Sequence, residues 1–154
     1  MTEFKVWRII VDWVEDQGGT VYAACPPGSS VFDYDKFCII DPISKKRDEP
    51  DILFSIGNNL YIVECKPTLS RILGKGKKYR NDESDVDKLH RIKKIYENGH
   101  YDQQLFDNYG ITAKYYEMKI GIGYAATIRQ PTYDCNDIIK FEIDSNCKVK
   151  IVGT

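Results

Sequence analysis

The chain has almost no net charge, no paired cysteine motif and no long apolar run, and each absence removes a class of protein. Among its 154 residues, 22 basic side chains stand against 23 acidic ones, a formal charge of -1. That balance excludes a histone-like character and an acidic solvating tail, so any affinity for nucleic acid has to come from local clustering. The five cysteines, Cys25, Cys38, Cys65, Cys135 and Cys147, are odd in number and widely spaced. None belongs to a C-x-x-C pair and none has a histidine nearby in ligand spacing, which disfavours zinc and a disulfide framework alike. The opening segment MTEFKVWRIIVDWVED is broken by charge every few residues, so it reads as neither a signal peptide nor a membrane span. The expectation is an intracellular, cytoplasmic protein in a reducing compartment, with no membrane partner.

What is present suits one packed domain over residues 1–154, since 42% hydrophobic residues, 12% of the chain being aromatic, can fill a core at this length. Phe4, Trp7, Ile10, Val11 and Val14 recur at helical steps, with Thr2 available as an N-cap and Gly18-Gly19 as a stop. Phe4, Trp7 and Val11 are assigned to the core. Thr20 to Cys25 reads as a strand closed by Pro26-Pro27-Gly28, and Phe37 to Ile40 as an added strand among loops. Ile52 to Ile56 and Leu60 to Cys65 form a hairpin around Gly57-Asn58-Asn59. A glycine-bearing basic loop then runs from Pro67 to Arg80. A helix follows from about Ser84 to Asn98, with Val86, Leu89, Ile92 and Tyr96 on one stripe and Ser84 with Asp87 resembling a capping box. A shorter helix over Asp102 to Tyr109 precedes a buried strand from Lys119 to Arg129, in which Gly121, Gly123, Ala125 and Ala126 permit close packing. Ile138 to Ile143 and Lys148 to Val152 read as a last hairpin. Helix, strands, helix, strand and edge strands together give a mixed α/β sheet.

The hairpin sets Pro50-Asp51 at the start of one strand beside Glu64-Cys65-Lys66 at the end of the next. Strand alternation turns Glu64 and Lys66 to one face and Cys65 to the other. Two converging carboxylates make a hard oxygen site suited to Mg²⁺ or Mn²⁺. A lysine beside them can orient or deprotonate a water, or offset charge developing on a phosphate.

Pro50-Asp51, twelve residues, then Glu64-x-Lys66 resembles the signature of the PD-(D/E)xK nuclease superfamily. The resemblance implies a restriction-endonuclease-like αβββαβ core, here about residues 2–129, with a mixed central sheet flanked by helices and C-terminal edge strands over about 130–154. It implies Asp51, Glu64 and Lys66 as catalytic residues. Asp51, Glu64 and the backbone carbonyl of Cys65 would be metal ligands, and the products would carry 5′-phosphate ends. Many members also turn a glutamate of the first helix toward the metal, for which Glu15 or Asp12 is available, a solvated helix face being the alternative. The sequence departs from two branches: the only histidines, His90 and His100, lie after the Pro-Asp, and Gln104 to Tyr109 has the wrong spacing for a Q-x-x-x-Y motif.

From Lys66 to Arg80 the chain carries Lys66, Arg71, Lys75, Lys77, Lys78 and Arg80 without one acid, which suits sequence-independent phosphate contacts. Gly74 and Gly76 would let that loop come close to a backbone, and Tyr79 could stack on a base. Lys88 and Arg91 on the next helix extend this candidate surface, although Asp87 offers Arg91 a structural partner. His90 reads as a surface histidine, His100 as a loop residue, and Asp33, Asp35 and Asp41 as turn aspartates. The expected function is a metal-dependent nuclease using Mg²⁺ or Mn²⁺, acting on nucleic acid with DNA favoured over RNA, and dimerising if it cuts both strands of a duplex. The alternatives are a catalytically inactive nucleic-acid-binding module on the same fold, and an interaction protein in which the acids are incidental.

Overall fold

The computed structural model describes residues 1–24, 37–73 and 83–152. Their centre is a six-stranded mixed sheet in the order β1-β4-β5-β6-β7-β8. The strands are β1 (Thr20–Ala24), β4 (Ile52–Ile56), β5 (Asn59–Cys65), β6 (Glu117–Ala125), β7 (Ile138–Ile143) and β8 (Val149–Val152). β1-β4 and β4-β5 are antiparallel, β5-β6 and β6-β7 are parallel, and β7-β8 is antiparallel.

Strand alternation builds a core on each face. Ile52, Phe54, Val63 and Cys65 pack with Val6, Trp7, Ile10, Val11 and Val14 of helix α1 (Glu3–Asp16). Leu53, Leu60, Ile62, Ile120 and Ile122 pack on the opposite face. There they meet α2 (Leu69–Ile72), α3 (Asp85–Glu97) and α4 (Asp102–Tyr109) through Leu69, Ile72, Leu89, Ile92 and Leu105. Helix layers on both faces explain why the central strands are nearly continuous apolar runs. Among the described residues no helix is long and apolar enough to cross a membrane.

Local sequence fixes the ends of these elements. Thr2 Oγ1 accepts the Lys5 N–H at 3.1 Å and Ser84 Oγ accepts the Asp87 N–H at 3.1 Å, so both long helices start on side-chain caps. Between β4 and β5 only Gly57 and Asn58 lie in the loop. Gly57 has φ +58°, a conformation that glycine adopts without the Cβ penalty and that two-residue hairpin loops require. In β6, a Cβ on Gly123 would stand 2.2 Å from Ile10 Cδ1 and 3.3 Å from Cys65 Sγ, so the missing side chain leaves room for the tip of Ile10 from α1.

Four expectations change. Phe4 is 44% exposed, its ring centre 5.8 Å from that of Trp7, and Val6 takes its place in the core. The apolar run at Phe37 to Ile40 does not join the main sheet: β2 (Ile39–Ile40) pairs with β3 (Arg47–Asp48) in a separate ribbon. The basic segment after Pro67 begins with one helical turn, α2, since Leu69 and Ile72 are spaced to bury together. β6 starts at Glu117 and stops at Ala125, because residues 126–129 are exposed and offer the sheet no apolar face.

Candidate active site

Asp51 and Glu64 come together where β4 begins and β5 ends. Ile52 is opposite Val63 in the ladder, so the next residue outward on each strand places the two acids side by side. Asp51 Oδ2 accepts the Cys65 N–H at 2.6 Å, and the Asp51 carbonyl accepts the Trp7 indole N–H at 3.4 Å. Glu64 is 4% exposed and faces α3, whereas the Cys65 side chain is fully buried against α1.

Burial sets the electrostatics. Loss of solvent, the Glu64 charge and Glu3 hold the Asp51 carboxyl well above the usual carboxylate range, against the Cys65 N–H that stabilises the anion. Glu64 is raised from 4.5 to about 7 by burial, in spite of Lys88. Lys88 Nζ lies 2.9 Å from Glu64 Oε1, so the ammonium acts on Glu64 both through its charge and as a hydrogen-bond donor.

Lys66 has left the strand and reaches the N-terminal turn of α1, with Nζ 3.4 Å from Glu3 Oε1. Burial opposes its charge, but Asp85, Glu3 and Asp51 together outweigh that and keep its pKa above the ordinary lysine value. Lys88 is raised in the same way, burial being outweighed by Glu64, Asp85 and Asp51. The site is thus four carboxylates, Glu3, Asp51, Glu64 and Asp85, interleaved with two ammonium groups.

Glu3 and Asp85 escaped the sequence reading because each opens a helix just after its capping residue, where an acid is explained by the helix dipole alone. Glu15, the acid expected to serve from the first helix, is exposed at the far end of α1, beyond the end of β4 opposite to Asp51. The helix is 14 residues long and Glu3 opens it, so Glu3 is the acid of α1 that reaches the site.

The expected phosphate-binding residues divide. Lys88 points into the site as described. Arg71 is exposed on α2, five residues after Lys66. Arg91 is corrected: its NH1 and NH2 donate to the two Asp48 carboxylate oxygens at 2.8 Å each, and its Nε and NH2 to Glu83. A guanidinium forked onto two carboxylates has no free fork for phosphate; it ties α3 to β3. Asp87 is not its partner. Lys75, Lys77, Lys78, Tyr79 and Arg80, with Gly74 and Gly76, lie outside the described residues, as do Asp33 and Asp35. Asp41 closes a turn, with Oδ1 accepting the Ile43 N–H at 3.0 Å and Oδ2 the Ser44 hydroxyl at 2.7 Å.

Compared with protein-family models, curated proteins and solved structures, the chain matches none of them. Its chemistry has to be argued from the site itself. Two adjacent acids withdrawn from solvent, both with raised pKa values, form an oxygen-only donor set of the kind that suits a hard divalent cation.

Proposed function

We propose that the chain is a metal-dependent nuclease of the PD-(D/E)xK kind, hydrolysing phosphodiester bonds in nucleic acid, DNA in preference to RNA. The observation that carries this reading is the convergence of half-buried Asp51 and buried Glu64 at neighbouring strand ends, with Lys66 and Lys88 alongside. The chain order supports it too: helix α1, the antiparallel strands β1, β4 and β5, helix α3, then β6 parallel to β5, which is the αβββαβ order of that superfamily.

Asp51, Glu64 and the Cys65 carbonyl would hold Mg²⁺ or Mn²⁺, which supplies Lewis acidity toward the phosphate and lowers the pKa of a bound water. The protein's own groups do the rest. Asp51 is fixed by the Cys65 N–H, and Glu64 by its seat in β5. Lys66, kept protonated by Glu3, Asp85 and Asp51, serves as a cation that orients water and offsets charge on the phosphate. Lys88 adds a second ammonium on the α3 side.

A second reading, a catalytically inactive nucleic-acid-binding module, draws on the Lys88–Glu64 pair, in which a protein cation already compensates the carboxylate. The test is cleavage of labelled single-stranded DNA, duplex DNA, a four-way junction and RNA by wild type and Lys66→Ala, with Mg²⁺, Mn²⁺ or EDTA. Metal-dependent cutting with 5′-phosphate ends, lost in the variant, supports the nuclease. Binding without cutting in every metal supports the module.

A further inference from the structure

A second cluster lies away from the acids of β4 and β5, and its donors are of a different kind. His90 on α3 meets Cys135 and Asp137, which belong to the connection from β6 to β7. His90 Nε2 is 2.8 Å from Asp137 Oδ2 and 3.9 Å from Cys135 Sγ, and Cys135 Sγ is 2.7 Å from Asp137 Oδ1. One ligand atom from each residue falls within 4.8 Å of the other two.

This geometry is wrong for a nucleophilic triad. In a triad the imidazole bridges, taking the nucleophile's proton on one nitrogen and holding the acid on the other. Here thiol and carboxylate both address Nε2, and they also touch each other. Three donors converging on one point is instead the arrangement of a metal site. Tetrahedral zinc, with bonds of about 2.0 to 2.3 Å, sets neighbouring ligand atoms roughly 3.3 to 3.6 Å apart, within a small side-chain adjustment of what is seen.

The donor types choose the ion. Sulfur and imidazole nitrogen favour Zn²⁺ over Mg²⁺ or Mn²⁺, the reverse of the oxygen set at Asp51 and Glu64. A thiolate and a carboxylate together carry two negative charges, which Zn²⁺ neutralises, the thiol proton leaving to solvent on binding. Lys140, three residues beyond Asp137, is directed to the Tyr133 carbonyl and ring and not to this carboxylate. The His90 and Asp137 side chains are 37% and 49% exposed, so an ion has an entry path and a fourth position open to water.

We propose that His90, Cys135 and Asp137 form a Zn²⁺ site that pins the β6–β7 connection to α3. It stands independently of the nuclease reading: it uses other residues, on the far side of β6 from Glu64, and none of the acids at the strand ends.

The test is a Co²⁺ titration of the full chain in excess Mg²⁺, followed in the near-ultraviolet and visible. Wild type is expected to take one equivalent of Co²⁺ with a thiolate charge-transfer band and the ligand-field bands of a tetrahedral ion, both abolished by Zn²⁺. The band should persist in Asp51→Ala and Cys147→Ser, disappear in Cys135→Ser, and need more Co²⁺ in His90→Gln and Asp137→Asn. Circular dichroism of the metal-free proteins identifies any variant that fails to fold. If Cys135→Ser is such a variant, His90→Gln decides, and Co²⁺ affinity equal to wild type overturns the site. Absence of a thiolate band in wild type, or its survival in folded Cys135→Ser, overturns it equally.

Discussion

Asp51 Oδ2 and the backbone N–H of Cys65 are joined at 2.6 Å, so the carboxylate that begins β4 is held by the residue between Glu64 and Lys66. The bond needs an acceptor, not a charge. Asp51→Asn keeps an acceptor and removes the repulsion with Glu64, so metal-free stability should be equal to or above wild type in urea melts. Cleavage should fall on the order of a hundredfold or more. A destabilised Asn variant would mean that the charge itself supports the fold.

Stability should also follow Glu64 protonation. Its folded pKa of about 7 lies above the ordinary 4.5, so the folded state binds the proton more tightly. The contribution is complete below pH 4.5 and is lost as pH rises through 7. The full difference is on the order of 3 kcal/mol. Mn²⁺ needs the anion and should offset the loss, so the rise in Tm on adding Mn²⁺ should be larger at pH 8 than at pH 6. Equal shifts at both values would count against Glu64 as a ligand.

Lys88→Met takes the cation from a buried carboxylate and should cost about 2 kcal/mol at pH 8 by chemical denaturation. At pH 5.5, where Glu64 is protonated, the cost should largely vanish. The same cost at both pH values would mean that Lys88 contributes packing and not charge.

Glu3→Gln should lower cleavage by about tenfold, since Glu3 helps to hold the Lys66 ammonium in place. Glu15→Gln, at the opposite end of the same helix, should leave the rate at wild type. The reverse ranking in a steady-state assay would restore Glu15 to the site.

Arg91→Ala strands Asp48, which is 5% exposed, and should destabilise the protein by about 2 to 3 kcal/mol. The salt dependence of nucleic-acid binding should not change, because this guanidinium is not a phosphate ligand. A shallower salt slope in folded Arg91→Ala would reverse that assignment.

Short-range order was legible in the sequence. The hairpin followed from Gly57-Asn58-Asn59 between apolar runs, α1 and α3 from their caps and periodicity, and the pairing of Asp51 with Glu64 from hairpin register. What was not legible depends on distance along the chain. Arg91 finds Asp48 across 43 residues, and His90 meets Cys135 across 45, so a rule based on local ligand spacing passed over the latter. Glu3 was hidden for another reason: position and residue type were already explained by the helix dipole, leaving no residual signal. Glu15 drew attention because the polar face of a helix looks alike from end to end, and only the direction in which α1 runs across the sheet decides which end meets Asp51 and Lys66.

The vacant side chain of Gly123 shows how far crowding in the sheet is from the charged residues. Its Cβ would stand 2.2 Å from Ile10 Cδ1, and Ile10 and Glu3 belong to one helix. A methyl group at position 123 meets first the outermost carbon of Ile10, which can turn aside, while the next Ile10 atom is at an ordinary 3.7 Å. The tip of one isoleucine thus serves as a buffer between the floor of the sheet and the acid beside Lys66.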